Sequence, residues 1–211
     1  MILAYAIICL LVLALLLRRD ISAIGKMSYR GGWQAVAAVA GLFIVQWFAV
    51  IYAVERTVFQ MSLLILSHIA LILLFLLNRH VPGAKLFTLG IILNTVVMVA
   101  NGGWMPVTPE TYRYVHPDQT AEVSAKPIKS KNIVLPRTET KLWVLSDIIP
   151  VALPWRRYSI SLGDIVMVLG VAQFLFQTTS KKQAGDVPVE NYGPSSDSDE
   201  SSGLGLIIMG M

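Results

Sequence analysis

The sequence predicts an all-α fold, a polytopic membrane protein with five transmembrane helices, and three observations lead there. Apolar residues fill 55% of the 211 positions and charged residues only 14%, with a mean hydropathy of +0.64; soluble domains carry roughly 25% charge. The apolar residues stand in long blocks instead of alternating with polar ones, as bilayer-spanning helices require. Lys and Arg gather in alternate connections between those blocks, the signature of cytoplasmic loops. The same composition excludes a disordered chain. The formal charge of +4 has no recognition motif beside it, so no nucleic acid is expected as a partner.

The spans follow in order. The first covers about residues 1–17 and is stopped by Arg18-Arg19-Asp20; its charges follow the apolar run, so it reads as an uncleaved anchor and not as a secretory signal. The second covers about 33–54. The third covers 61–77 and ends at Asn78-Arg79-His80, and the fourth covers 86–100 and ends at Asn101-Gly102-Gly103. The fifth covers 158–176, with Lys181-Lys182 behind it. Arg18, Arg19, Lys26 and Arg30 in the first connection, Arg79 and Lys85 in the third, and the lysines after the last span place the N-terminus outside and the C-terminus in the cytoplasm.

Residues 102–157 form a long outer loop. Its first half, Pro106 to Pro136, is rich in Pro, Thr, Ser and Lys and reads as irregular. Its second half, 142–155, is apolar but broken by Asp147, Pro150 and Pro154, and is too short to span; it reads as a re-entrant or interfacial segment before the last helix. Trp104, Trp143, Trp155 and Tyr158 flank these stretches as headgroup-level aromatics do. The transmembrane domain thus takes residues 1–177. Residues 178–211, with the acidic serine-rich tract 195–202, read as a disordered cytoplasmic tail.

Polar side chains inside spans are costly and are candidate sites. Gln46, His68 and Asn94 lie near mid-span in the second, third and fourth helices and form a candidate intramembrane polar cluster, read first as interhelical glue and second as a substrate or proton path. Gly90, Asn94 and Asn101 share one stripe of the fourth helix, and Ala37 and Gly41 make a small-residue pair on the second. The pattern Leu-small-Asp-Ile occurs twice, around Asp147 and Asp164. Asp164 suits a helix N-terminus, where a carboxylate caps backbone N–H groups, or a partner for Arg156 or Arg157. Together Asn101, Asp147 and Asp164 define a candidate outward-facing polar pocket. One cysteine and three histidines, of which only His68 lies in a span, give no metal ligand set or haem pair, so no metal and no cofactor is expected.

Asn101-Gly102-Gly103-Trp104-Met105-Pro106-Val107, Thr138-Glu139-Thr140, Leu145-Ser146-Asp147-Ile148-Ile149-Pro150 and Ser159-Ile160-Ser161-Leu162-Gly163-Asp164 occur in this order. In that combination the chain resembles, over roughly residues 1–177, an uncharacterised family of small bacterial multi-pass membrane proteins, a domain of unknown function. The resemblance implies a bacterial cytoplasmic membrane location and implies no activity. The functional expectation is a non-enzymatic accessory or ligand-binding component whose partners are the lipid bilayer and either other membrane subunits or a second copy of the chain. The alternative is a small transporter or substrate-capture subunit. A remote alternative, an intramembrane aspartyl protease, pairs Asp147 with Asp164, Gly163-Asp164 resembling part of that family's Gly-x-Gly-Asp element.

Overall fold

A computed structural model describes residues 2–52, 57–120, 122–123 and 131–179. Of the expected tail (178–211) all but Thr178 and Thr179 lies outside the described residues, as does the Glu55-Arg56 turn. The framework is mostly helical: α1 (Ile2–Leu16), α2 (Ser22–Gly25), α3 (Gly32–Tyr52), α4 (Val58–Leu77), α5 (Ala84–Ala100), α6 (Pro109–Val115) and α7 (Leu162–Thr178). Two of these, α3 and α4, are long and apolar enough to cross a membrane; α1, α5 and α7 are shorter apolar helices.

Helix ends follow from local chemistry. The third expected span starts earlier than residue 61 because Thr57 and Gln60 form a capping box, the hydroxyl of Thr57 accepting from the N–H of Gln60. The far end of α5 closes in a Schellman turn: the N–H of Gly103 donates to the carbonyl of Met98 at 2.6 Å, and Gly102 takes φ +75°. The Arg19 guanidinium donates to the carbonyls of Phe176 and Thr179, placing a cation at the negative end of α7.

Between α5 and α7 the structure departs from the all-α expectation. This connection holds four short strands, β1 (Met105–Val107), β2 (Asn132–Val134), β3 (Ile149–Leu153) and β4 (Arg156–Ile160), with a 3-10 turn over Trp143–Leu145. β1 and β2 pair in parallel, Pro106 opposite Ile133; β3 and β4 form an antiparallel hairpin, Val151 opposite Tyr158. The Pro106–Pro136 half is therefore not irregular throughout. The 142–155 stretch, expected as a broken segment, is a 3-10 turn over Trp143–Leu145 followed by strand β3. Pro150 and Pro154, which argue against a helix there, fit a two-stranded hairpin, whose every strand is an edge. The last helix correspondingly begins at 162 and not 158, because Arg156–Ile160 pair with β3 and Ser161 then supplies the N-cap.

This cap sits on the helices through a core of Leu64, Val97, Met98, Trp104, Met105 and Ile133, and Tyr5 of α1 meets Trp155 and Tyr158 with ring centroids about 6 Å apart. Gly103 lets the cap backbone lie on Met61 of α4, whose side chain occupies the place of a Cβ.

The most extensive helix–helix contact is that of α5 with α7. Gly83 faces Gly170 and Gly90 faces Gly163, each pair spaced by seven residues, so two antiparallel backbones meet with no side chain between them. A Cβ on Gly90 would lie 2.5 Å from the carbonyl oxygen of Gly163, and one on Gly170 would lie 2.7 Å from the nitrogen of Phe87. The small-residue pair expected on α3 is different: a Cβ on Gly41 meets nothing within 4 Å. Gly90→Val should therefore lower stability by about 1–3 kcal/mol or prevent folding. Gly41→Val should change it by less than about 0.5 kcal/mol. Detergent-unfolding midpoints of the two variants check this, and equal effects would contradict the contact.

Candidate functional site

Polar groups converge where α5 and α7 enter the cap. Asn94 is 2% exposed. Its Nδ2 donates to Oδ1 of Asp164 at 3.0 Å, and its Oδ1 accepts from the hydroxyl of Ser161 at 2.8 Å. The same Ser161 hydroxyl accepts from the N–H of Asp164 at 3.0 Å, and Oδ2 of Asp164 accepts from the N–H of Ser161 at 3.1 Å. Three side chains thus close a ring that is at once a helix cap and an interhelical lock. Gly163 makes the ring possible, since the amide oxygen of Asn94 stands where its Cβ would be. Of the two expectations for Asp164 the cap is the one that forms. Arg156 lies over Tyr158, and Arg157 donates to the carbonyl of Tyr114.

Asp147 is brought beside this ring by β1: its N–H donates to the carbonyl of Pro106 at 3.1 Å, while on the other side the N–H of Met105 donates to the carbonyl of Lys131. Asp147 is 4% exposed. Its Oδ2 accepts from Nδ2 of Asn132 at 2.9 Å, whereas its Oδ1 is buried without a hydrogen-bond partner, as is the hydroxyl of Ser146. Burial pushes the Asp147 carboxyl up to about 6; the Lys131 cation and the Asn132 amide pull it down, and the Asp164 carboxylate pushes it further up. Burial acts on Lys131 in the opposite sense, but the carboxylates of Asp147 and Asp164 outweigh it and hold the ammonium above its ordinary value. The site is therefore a charge cluster of one cation and two acids gathered about the buried Asp147, with Lys131 and Asp164 half-buried and amide donors from two elements.

The expected groupings form only in part. Asp147 and Asp164 lie within electrostatic reach of one another, but each takes its hydrogen bonds from other groups. Asn101 turns away from both acids. Its side-chain amide donates to the carbonyl of Lys141 at 2.8 Å and accepts from the N–H of Lys141 at 2.9 Å, clipping the cap to the end of α5. Gln46, His68 and Asn94 do not hydrogen-bond one another. The Ser67 hydroxyl donates to Oε1 of Gln46, Nδ1 of His68 meets the carbonyl of Leu64 at 2.7 Å, and Asn94 belongs to the ring above. Sequence reading missed Lys131 and Asn132, which stand in a Lys- and Ser-rich stretch with no local mark of a site. It also missed the seven-residue glycine spacing, a signal that was present in both helices. Among the described residues no group of three His, Cys, Asp or Glu side chains is arranged to hold a metal ion.

Apolar helices beneath a small mixed cap, with one polar ring and one charge cluster at their junction, define the class. The chain belongs to DUF5317, a family of unknown function, which residues 26–176 match. The match begins after α1, later than the resemblance read from the motifs, and contains every residue of the ring and the cluster. An uncharacterized protein of Thermotoga maritima is 33% identical over 153 residues, 72% of this chain and 83% of that protein. No solved structure matches.

The titration of Asp147 has a definite sign. Its folded value lies above that of an unfolded aspartate, near 3.9. The folded state therefore holds an extra proton between about pH 4 and pH 6, and the stability this contributes is present below that window and lost as pH rises through it. The unfolding free energy should fall across that interval by about 3 kcal/mol, and Asp147→Asn should flatten the slope. Lys131→Met should move the titration upward and Asp164→Asn downward, read from the carboxyl infrared band. Shifts of the opposite sign would contradict the cluster.

Proposed function

We propose that this protein is a multi-pass membrane protein of a bacterial cytoplasmic membrane, with α1, α3, α4, α5 and α7 as its five spans, N-terminus outside. It works as a non-enzymatic ligand-binding component, with the charge cluster as the seat of the ligand and 180–211 as a cytoplasmic tail. The observation that carries the membrane reading is the exposure of apolar helix surface. No residue of Gly32–Ala49 is buried, and Leu15, Leu16, Ile44, Val45, Phe59 and Leu73 are all exposed. The core helix of a water-soluble domain buries such residues, and a continuous apolar exterior belongs in lipid. At 15 to 21 residues the five helices are about 22–32 Å long, near the thickness of a hydrocarbon core.

The binding reading is supported by the unpartnered Oδ1 of Asp147. A buried carboxylate oxygen without a donor costs free energy, and a ligand N–H or O–H removes that cost. The two acids exceed the single Lys131, which favours a cationic, amine-bearing ligand. A transport role has less support, because the residues a polar path would string together are tied to separate neighbours.

Two measurements test this. In a Cys9→Ser background, Glu139→Cys should react with a membrane-impermeant maleimide on intact cells, and Lys26→Cys only after permeabilisation; the reverse pattern overturns the orientation. In a thermal-shift screen of small amines against the purified protein, a binder at a hundred times its Kd should stabilise the wild type by about 2.7 kcal/mol and Asp147→Asn far less. Equal stabilisation of both would move the ligand elsewhere.

A further inference from the structure

At the end of the helices opposite the cap lies a cleft of about 330 Å³, inside the range of roughly 300–1,000 Å³ that ligand clefts occupy. Its walls come from α1, α3, α4, α5 and α7, with Ile7, Trp33, Phe75, Phe87, Val171 and Phe174 giving it an almost wholly apolar lining. The cleft is held open by fixed parts. Asn78 at the end of α4 accepts from the N–H of Arg30 at 2.7 Å and donates to the carbonyl of Arg30 at 3.2 Å, so the segment before α3 is pinned to α4. Gly83 and Gly170, which line it, are the close contact of α5 with α7.

Four cations neighbour its lining residues in the chain. Arg30 follows the lining residue Tyr29, Arg79 follows Asn78, Lys85 follows Ala84, and Lys26 stands two positions after Ile24. All four cations are exposed. In the two connections that carry them, residues 18–32 and 78–85, Asp20 is the only acid, and its carboxylate accepts from the N–H and the hydroxyl of Ser22.

We infer that this cleft takes one acyl chain of an anionic phospholipid, whose phosphate is met by Lys26, Arg30, Arg79 and Lys85. An apolar slot of this kind matches a hydrocarbon chain, and cations in the adjoining connections on the cytoplasmic side match an anionic headgroup. The inference rests on the membrane reading above and on the orientation that puts this end in the cytoplasmic leaflet. It adds a lipid site remote from the charge cluster.

The full chain, purified in detergent and mixed with dioleoyl-phosphatidylglycerol or dioleoyl-phosphatidylcholine, is examined by native mass spectrometry. The phosphatidylglycerol adduct, one per chain, should exceed the phosphatidylcholine adduct by at least about tenfold. The triple variant R30Q/R79Q/K85Q, altered only at exposed positions, should bring the two lipids level. Val36→Trp, which fills the cleft from α3, should lose both adducts while its melting curve stays cooperative. Equal binding of the two lipids by the wild type, or an unchanged preference in the triple variant, overturns the inference. Alkaline carbonate extraction separates the two claims. A chain released to the supernatant defeats the membrane reading and this inference with it, whereas a chain kept in the pellet without lipid preference defeats this inference alone.

Discussion

Two helices whose backbones touch organise this protein. α5 and α7 approach without intervening side chains at Gly83–Gly170 and Gly90–Gly163, and a polar ring of Asn94, Ser161 and Asp164 closes the upper end of the same contact. Each part requires the other. The amides and carboxylate can meet only because Gly163 leaves room for Asn94, and the glycine faces stay in register because the ring permits one alignment. Close backbone packing and interhelical hydrogen bonds, which permit few alternative alignments, give this contact its specificity.

The rest of the chain is arranged around that contact. The segment joining the two helices must leave α5 and return to α7 over a short distance, and it does so as a folded cap. The Schellman turn at Gly102-Gly103 starts it, the Asn101–Lys141 clip holds its middle, and the β3–β4 hairpin delivers Ser161 to its capping position. Folding that cap onto Leu64, Val97 and Met98 buries Asp147 and brings the half-buried Lys131 and Asn132 beside it. The charge cluster is therefore a consequence of how the cap is seated. At the other end, the Gly83–Gly170 contact forms part of the wall of the apolar cleft.

How much of this was legible in the sequence depends on the range of the interaction concerned. Apolar blocks announce helices, and four of the five expected spans match α1, α3, α4 and α5 to within a few residues, because a helix in an apolar run needs no distant partner. The cap was misread because its strands are three to five residues long and pair across gaps that no local pattern marks: Met105 finds Asn132, and Ile149 finds Ile160. The start of α7 was placed four residues early, since Tyr158 and Ile160 suit a strand and a helix equally and only the pairing with β3 decides. Of the site, Asp164 as a cap was legible from its place near the start of an apolar block, whereas Ser161, its partner in the capping box, was not singled out. Asn94 was singled out by its depth, but its partner could not be read, and Lys131 was hidden among other lysines. Asn101 was assigned to the pocket on position alone, and the Lys141 backbone claims it.

The α5–α7 contact is the claim on which everything else here depends, and a double-mutant cycle on Asn94→Ala and Asp164→Ala in the purified full chain tests it most directly. Two groups locked in one ring should show a coupling free energy of about 1–2 kcal/mol, with the second substitution costing little once the first is made. Effects that add to within about 0.5 kcal/mol would mean that the two side chains act independently, and that α5 and α7 are not held together as described.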